Sequence, residues 1–384
     1  MKKVDVSAIK NLIAYEGEPA LTLYIPTHRY PTPPSIQEDQ TRFKNLVRQG
    51  CDQWRQKTDN KTVTAIETQL ESYLSQLDFW QESIETLAVF ASHEGIQMYR
   101  LPIETEERVY VGTRFDITPL LLVESMNQPA YVFALAMHEP RLFRADLYGM
   151  EEIAVDFPKS PEEALNIDEM FSNSNTIRSG RSAGPNSIPA APHGQGDASG
   201  AGHEERFMYL RLLDEKIRHL QDFDESLPFI IASTDTEFGD FRSISKMKNI
   251  VDVHIPGNHT NSSLPEFHQQ VTLLLREHIA ATRFSKTLER IQELQGVRAS
   301  FEASDIAAAA EIGKIETLLV PMVDMTADSV ADHQQPEPLI RFDDRFDEST
   351  RSIVSTVAAN GGSVVGVERG SLPNLSAMAA LYRY

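Results

Sequence analysis

Cysteine is nearly absent: Cys51 is the only one among 384 residues. An intramolecular disulfide and any multi-cysteine zinc or iron-sulfur site are thereby excluded. Long apolar runs are missing too. No stretch approaches the roughly 18 residues that a membrane-spanning helix needs. The amino-terminal Met1-Lys2-Lys3-Val4-Asp5 leads into polar sequence rather than the apolar core of a signal peptide. Excess positive charge is the third absence, since Lys and Arg number 36 against 56 Asp and Glu, for a formal net charge of −20. Such a chain repels nucleic acid at long range, so any RNA contact must rest on local basic patches. There is also no Walker loop, no Gly-x-Ser-x-Gly elbow and no dinucleotide fingerprint. These absences predict a cytoplasmic protein with no membrane and no DNA partner.

What is present is enough apolar sequence, 41% of the chain, to build two or three domains. Residues 20–26 read as a strand closed by Pro26, and 36–57 and 63–80 carry apolar residues at helical spacing. Residues 86–92 and 96–101 flank His93-Glu94-Gly95 as a hairpin, followed by a strand at 108–112 and an apolar run at 117–123. The first α/β domain is expected to span 1–127.

The second, over 128–262, opens with an apolar strand at 130–136 that turns at His138-Glu139-Pro140 into an antiparallel neighbour at 141–145, with a third strand at 151–155. Its sheet resumes at 227–233 and again at 250–255. A long helix over 264–294 then leads into a third domain, 263–384. There the Ala-rich helix 303–312 stops at Gly313, a short buried strand covers 318–320, and acidic, loop-like sequence runs from 324 to 344. A helix at 347–359, the turn Asn360-Gly361-Gly362 and strands at 363–367 and 379–384 complete it. Strands and helices alternate throughout, so the fold class is α/β.

The middle of the chain is organised around residues 171–221. The first part, through Gly180, Gly184, Pro185, Pro189 and Pro192, has almost no large apolar residue, which predicts a long mobile loop over 171–204. It ends in His193-Gly194-Gln195-Gly196-Asp197. Glycines at these positions permit backbone to approach a ligand closely, and the same composition serves a linker. From Glu204 a helical pattern places Phe207, Leu210, Asp214, Ile217 and Gln221 three or four apart. Arg206, Arg211 and Arg218, with Lys216, make this helix locally cationic. They either touch RNA phosphates or pair with Asp214, Glu215 and the loop-proximal Glu204 and Glu205. His193, Asp197, His203 and Glu204 match no common zinc spacing, and no metal or cofactor is expected.

The order of these features is specific. An apolar strand and its return, a loop with His-Gly-x-Gly, a helix with Tyr209-Leu210-Arg211 and a second apolar strand resemble the middle domain of the archaeal and eukaryotic peptide-chain release factors. Residues 309–320, the Gly361-Gly362-Ser363-Val364 turn and the terminal 379–384 are similar to that superfamily's third domain, which is related to a kink-turn-binding ribosomal protein. The first domain matches more loosely, through residues 21–26, Val89-Phe90 and 112–115. The set resembled most is the bacterial archaeo-eukaryotic release factor family, with Pelota and the Vms-type peptidyl-tRNA hydrolases as wider relatives.

The resemblance implies three small α/β domains. The middle one has a mixed sheet and a long mobile loop, and the last is a kink-turn-binding-protein-like α/β sandwich. It implies the ribosome and tRNA or peptidyl-tRNA as partners, and hydrolysis of the peptidyl-tRNA ester as the activity. In that chemistry a Gly-Gly-Gln loop brings bare backbone to the ester, an N–H stabilises developing negative charge and a short amide positions water. By analogy Gln195 positions water, Gly194 and Gly196 admit the backbone, and His193 shapes the loop. Two departures stand out. Aligned through His-Gly-x-Gly, Asp197 and Ala198 replace the second glycine and the glutamine, which favours a non-catalytic, Pelota-like binding factor. The Asn-Ile-Lys-Ser stop-codon motif is replaced by Thr41-Arg42-Phe43-Lys44-Asn45-Leu46, so codon-specific decoding is not expected.

Overall fold

The computed structural model describes residues 6–164, 198–275, 281–326, 337–340 and 348–384. The chain divides into two compact units: Met1–Asn127 with His278–Tyr384, and Gln128–Glu277. Three sheets organise it.

In the first unit, strands β1 (Ala20–Pro26), β2 (Thr86–Ser92), β3 (Gly95–Leu101) and β5 (Arg108–Gly112) form an antiparallel sheet in the order β3-β2-β1-β5. The short β4 (Glu104–Thr105) lies between β3 and β5 in sequence. The hairpin register closes at Ser92 opposite Gly95, whose φ of +133° only glycine adopts freely. The helix Pro33–Arg55 begins at a Thr32/Ser35 capping box with proline in its first turn. It lays Phe43, Leu46, Val47, Cys51 and Trp54 on the sheet. Burial pushes the Cys51 thiol up to about 12, so it packs as a neutral apolar side chain.

The periodic stretch 63–80 is not one helix. It forms Asn60–Glu71, a 3₁₀ turn Ser72–Ser75 and a short helix Leu77–Gln81. The hydroxyls of Ser72 and Ser75 donate to the backbone carbonyls of Gln69 and Ser72. The turn also brings fully buried Trp80 edge-on to Phe43 at 5.4 Å, with its indole N–H on the Tyr73 carbonyl. Core filling by tryptophan thus overrides helical continuity.

In the middle unit, β6 (Ala130–Ala134), β7 (Arg141–Ala145), β8 (Met150–Ile153), β9 (Phe229–Ser233) and the two-residue β10 (Ile255–Pro256) form a mixed sheet in the order β10-β9-β6-β7-β8. β6, β9 and β10 are parallel, β7 pairs antiparallel with β6, and β8 pairs antiparallel with β7. Only the Ile250 bridge and β10 mark the expected strand 250–255. Helices Ala198–Arg218 and Asp235–Ile244 cover one face through Tyr209, Leu210, Leu213, Ile217 and Phe241. Helix Leu264–Leu274 lies on the opposite face, where Phe267 meets Phe143 at 5.6 Å. The expected long helix 264–294 is seen as this helix and a second, Ala281–Glu293, one in each unit.

The last third contributes β11 (Ala299–Ser300), β12 (Ile315–Thr326), β13 (Glu337–Ile340), β14 (Ser363–Glu368) and β15 (Ala379–Tyr382) to a sheet ordered β11-β15-β12-β13-β4, with β14 beside β12. The acidic stretch 324–344, expected as loop, supplies part of a strand pair: Val323 to Thr326 oppose Ile340 to Glu337. β13 also pairs with β4 of the first third, so the two thirds share a sheet. They share a core as well. The helix Thr118–Met126 packs on β14, where a Cβ on Gly366 would come within 3.1 Å of Leu122.

A polar cluster sits at this junction. The Tyr110 hydroxyl donates to Glu348 (3.1 Å), and the Arg351 guanidinium lies 4.9 Å from the Tyr110 ring centroid. Beneath it Asp116 is fully buried. Its carboxylate accepts from the Thr118 N–H at 3.4 Å, and burial pushes its carboxyl above the ordinary range despite nearby Arg351 and Arg108.

Candidate RNA-facing helix of the middle unit

The helix Ala198–Arg218 begins six residues earlier than the Glu204 start that the periodicity predicts. Ala198 and Ala201 are strong helix formers, and Gly200 and Gly202 are carried within the helix. Ala198, which the resemblance sets at the position of the catalytic glutamine, is therefore the first helical residue. The expected loop 171–204 ends in helix from 198 onward. His193, Gly194, Gln195, Gly196 and Asp197 lie outside the described residues.

The inward face of the helix is fixed by fully buried Tyr209, Leu210, Leu213 and Ile217. Tyr209 donates its hydroxyl to the Pro158 carbonyl at 2.9 Å, and burial pushes its pKa well up. Asp214, periodic with these apolar residues, is also buried. It accepts from the Ser245 hydroxyl and from Arg218 Nε at 2.8 Å. A buried carboxylate is stable only when bonded in this way.

These contacts sort the three arginines. Arg218 is committed to Asp214, four residues back on the same helix. Arg206 is paired with Asp240 of the helix Asp235–Ile244 at 2.7 Å, with both side chains largely covered. Arg211 is exposed and, among the described residues, has no ion-pair partner. Lys216 stands 4.0 Å from Asp156. Of the cationic set, Arg211 is the side chain placed to meet an external anion. The Asp214–Arg218 spacing was readable as an i, i+4 pair. Asp240 bears no such local spacing to Arg206, although the Thr234-x-x-Glu237 capping box that starts its helix is visible in sequence.

The stretch Thr41–Leu46 of the first unit is a regular part of the helix Pro33–Arg55, with Phe43 and Leu46 buried. Thr41, Arg42 and Asn45 line an open polar groove with Gln37, Glu38 and Glu107. Arg42 is held there by Glu38 (2.8 Å), Glu107 (3.1 Å), Asp39 (3.4 Å) and the Pro26 carbonyl (2.9 Å). Behind it, buried Asp39 accepts from the backbone N–H of His28 at 3.0 Å and from its ring Nδ1 at 2.7 Å. A guanidinium so occupied has little left for an incoming phosphate.

Residues 129–314 match the family described as bacterial archaeo-eukaryotic release factor family 3. Over that segment the chain is similar to that family. The match spans the mixed sheet, the helix with Arg211 and the Ala-rich helix Ala303–Glu311, which are among the features that carry the resemblance in sequence. No curated protein matches the sequence. Among solved structures, Archaeoglobus fulgidus Pelota is similar at 12% identity and a TM-score of 0.35, over 100% of this chain and 94% of that one. Archaeal translation termination factor aRF1 is similar at 14% identity and a TM-score of 0.22, over 100% and 99%. Dom34 of S. cerevisiae, a translation termination-like factor involved in RNA quality control pathways and interacting with Hbs1, is similar at 10% identity and a TM-score of 0.35, over 82% and 78%. Among the described residues no helix is long and apolar enough to cross a membrane.

Proposed function

We propose that this protein is a release-factor-like translation factor that acts in the cytoplasm on ribosomes or on peptidyl-tRNA. The observation that carries the reading is the release factor family match over residues 129–314. That segment contains both the His193-Gly194-Gln195-Gly196 sequence and the helix with exposed Arg211. In this reading the segment ahead of the helix delivers Gln195 to the ester, where its amide orients a water for attack on the carbonyl carbon. Gly194 and Gly196 let a backbone N–H approach the developing oxyanion, His193 shapes the turn, and Arg211 contacts a phosphate. Arg206 and Arg218 support this helix through their carboxylates. Codon reading has no part in the scheme, because the Thr41–Leu46 stretch lies within a regular helix and its arginine is engaged internally.

A second reading is favoured by Asp197 and by helical Ala198, which stand where the family's second glycine and glutamine would be. In it the protein binds a ribosome to rescue or shelter it, as a non-catalytic Pelota-like factor. Co-sedimentation with ribosomes over a range of salt tests what the two readings share: binding that weakens steeply with salt supports both. A chain that stays in the supernatant even at low salt contradicts both.

A further inference from the structure

Many arginines of this acidic chain are held by carboxylates, as Arg29 is by Glu85, Arg100 by Glu82, Arg141 by Glu152 and Arg290 by Glu316. One end of the C-terminal sheet gathers several cations that are not. Arg298, Lys314 and Arg383 gather around the same backbone, and none has a carboxylate partner among the described residues. Arg298 donates from Nη2 to the carbonyls of Tyr382 (3.1 Å) and Arg383. Arg383 in turn donates its backbone N–H to the Lys314 carbonyl at 2.9 Å. Its guanidinium spans the Gly313 and Asn360 carbonyls, both at 3.0 Å. The Lys314 ammonium sits 5.0 Å from the Tyr382 ring centroid and 6.0 Å from that of Tyr384.

Part of this arrangement is ordinary capping. Gly313 and Asn360 follow the helices Ala303–Glu311 and Glu348–Ala359, and each helix end carries about half a negative charge. Two such ends offset about one of the three cations. The Lys314 backbone N–H joins the capping, donating to the Ala309 carbonyl at 2.9 Å, but its ammonium caps nothing and rests on aromatic rings. The acids of the facing helix start, Glu302 and Asp305, line the same groove as Lys314 and Tyr382 without pairing with any of the three. Asp305 is near the Ser300 hydroxyl, at 3.3 Å. The approach to Arg383 is bare: Gly313 and Gly361 have φ of +66° and +72°, and a Cβ on Gly361 would lie 3.8 Å from Arg383 Nη2. Beside the cations Tyr384 is an exposed residue, 69% accessible.

We propose that Arg298, Lys314 and Arg383, with the exposed ring of Tyr384, form a contact for a single RNA strand. The cations meet its phosphates and the ring stacks on a base. Grouped cations answer to any polyanion, but the adjacent open aromatic face is what a nucleic-acid strand uses and an acidic polypeptide does not need. This contact belongs to the other compact unit from Arg211 and deepens the ribosome reading, on which it rests for its biological setting.

The test uses the full-length protein and a fluorescein-labelled oligouridine, with affinity measured by anisotropy across sodium chloride concentrations. Lys314→Gln and Tyr384→Ala are the informative variants, because neither residue's side chain holds a backbone carbonyl, and thermal unfolding checks that they remain folded. Lys314→Gln should weaken binding and reduce the slope of log affinity against log salt by about 0.7, the value for one contact to a single strand. Tyr384→Ala should weaken binding with the slope unchanged. Unaltered affinity in both variants overturns the proposal. Competition by oligoglutamate at equal concentration, with no effect of Tyr384→Ala, assigns the patch to an acidic polypeptide and also overturns it. Parallel co-sedimentation separates the two claims. Ribosome binding with neither variant affecting oligouridine sinks the patch alone, whereas patch-dependent oligouridine binding without ribosome binding sinks the ribosome reading alone.

Discussion

Arg206 and Asp240 lie 2.7 Å apart across two packed helices, Ala198–Arg218 and Asp235–Ile244. This pairing makes Arg206 a structural cation rather than one presented to RNA. Arg206→Ala and Asp240→Ala are each expected to destabilise the fold, with a coupling of up to roughly 1 kcal/mol for a partly exposed pair. Urea denaturation of the two single variants and the double variant measures it. Arg211→Ala should leave stability unchanged within about 0.5 kcal/mol, as for an ordinary surface site, and weaken ribosome binding instead.

Asp214 is the buried partner of Arg218 and Ser245. Arg218→Ala leaves that carboxylate short of a charged donor, with an expected loss of roughly 1–3 kcal/mol. The double variant Asp214→Asn, Arg218→Ala should recover part of the loss, because an amide tolerates burial better than an unpaired charge. A single variant as stable as the native protein in urea would contradict this role.

Asp116 predicts a pH dependence. Burial raises its carboxyl above the ordinary value of 3.8, so the folded state holds this proton more tightly than the unfolded state. The group therefore costs no stability below that value, and stability falls as pH rises from there through the folded value. Asp116→Asn retains an acceptor for the Thr118 N–H and removes the charge. Its thermal unfolding temperature, compared with native protein across the acid range, should show an advantage that grows with pH and then levels off. A variant less stable at every pH would show that the carboxylate is favourably charged in the fold.

Gly362 is enclosed by the helix Glu348–Ala359 and β12. A Cβ there would lie 2.7 Å from Val357 Cγ1 and 2.9 Å from the Ile315 carbonyl oxygen. Backbone on one side cannot yield as a side chain can. Gly362→Ala is expected to cost roughly 1–3 kcal/mol by overpacking, and Gly149→Ala, with open space around it and likewise no positive φ, is the control without the clash.

Strands β1, β2, β3, β6, β7 and β9 were legible because their signals are local: apolar runs, alternation and turns such as His93-Glu94-Gly95. The break in 63–80 was not, since it depends on where Trp80 finds its cavity. β13 was hidden by acidic composition, and its pairing with β4 joins residues too far apart in sequence for any local pattern to reveal. The same division holds for the helix Ala198–Arg218. Asp214 with Arg218 could be read from spacing, whereas the partner of Arg206 comes from another helix and only the fold brings it there.

The most direct measurement is peptide release from peptidyl-tRNA, free and on ribosomes with an empty A site, by the native protein and by Gln195→Ala. Release by the native protein, lost in the variant while co-sedimentation with ribosomes is retained, is the predicted result. A native protein that binds ribosomes and releases nothing contradicts the hydrolytic account and leaves the binding-factor reading.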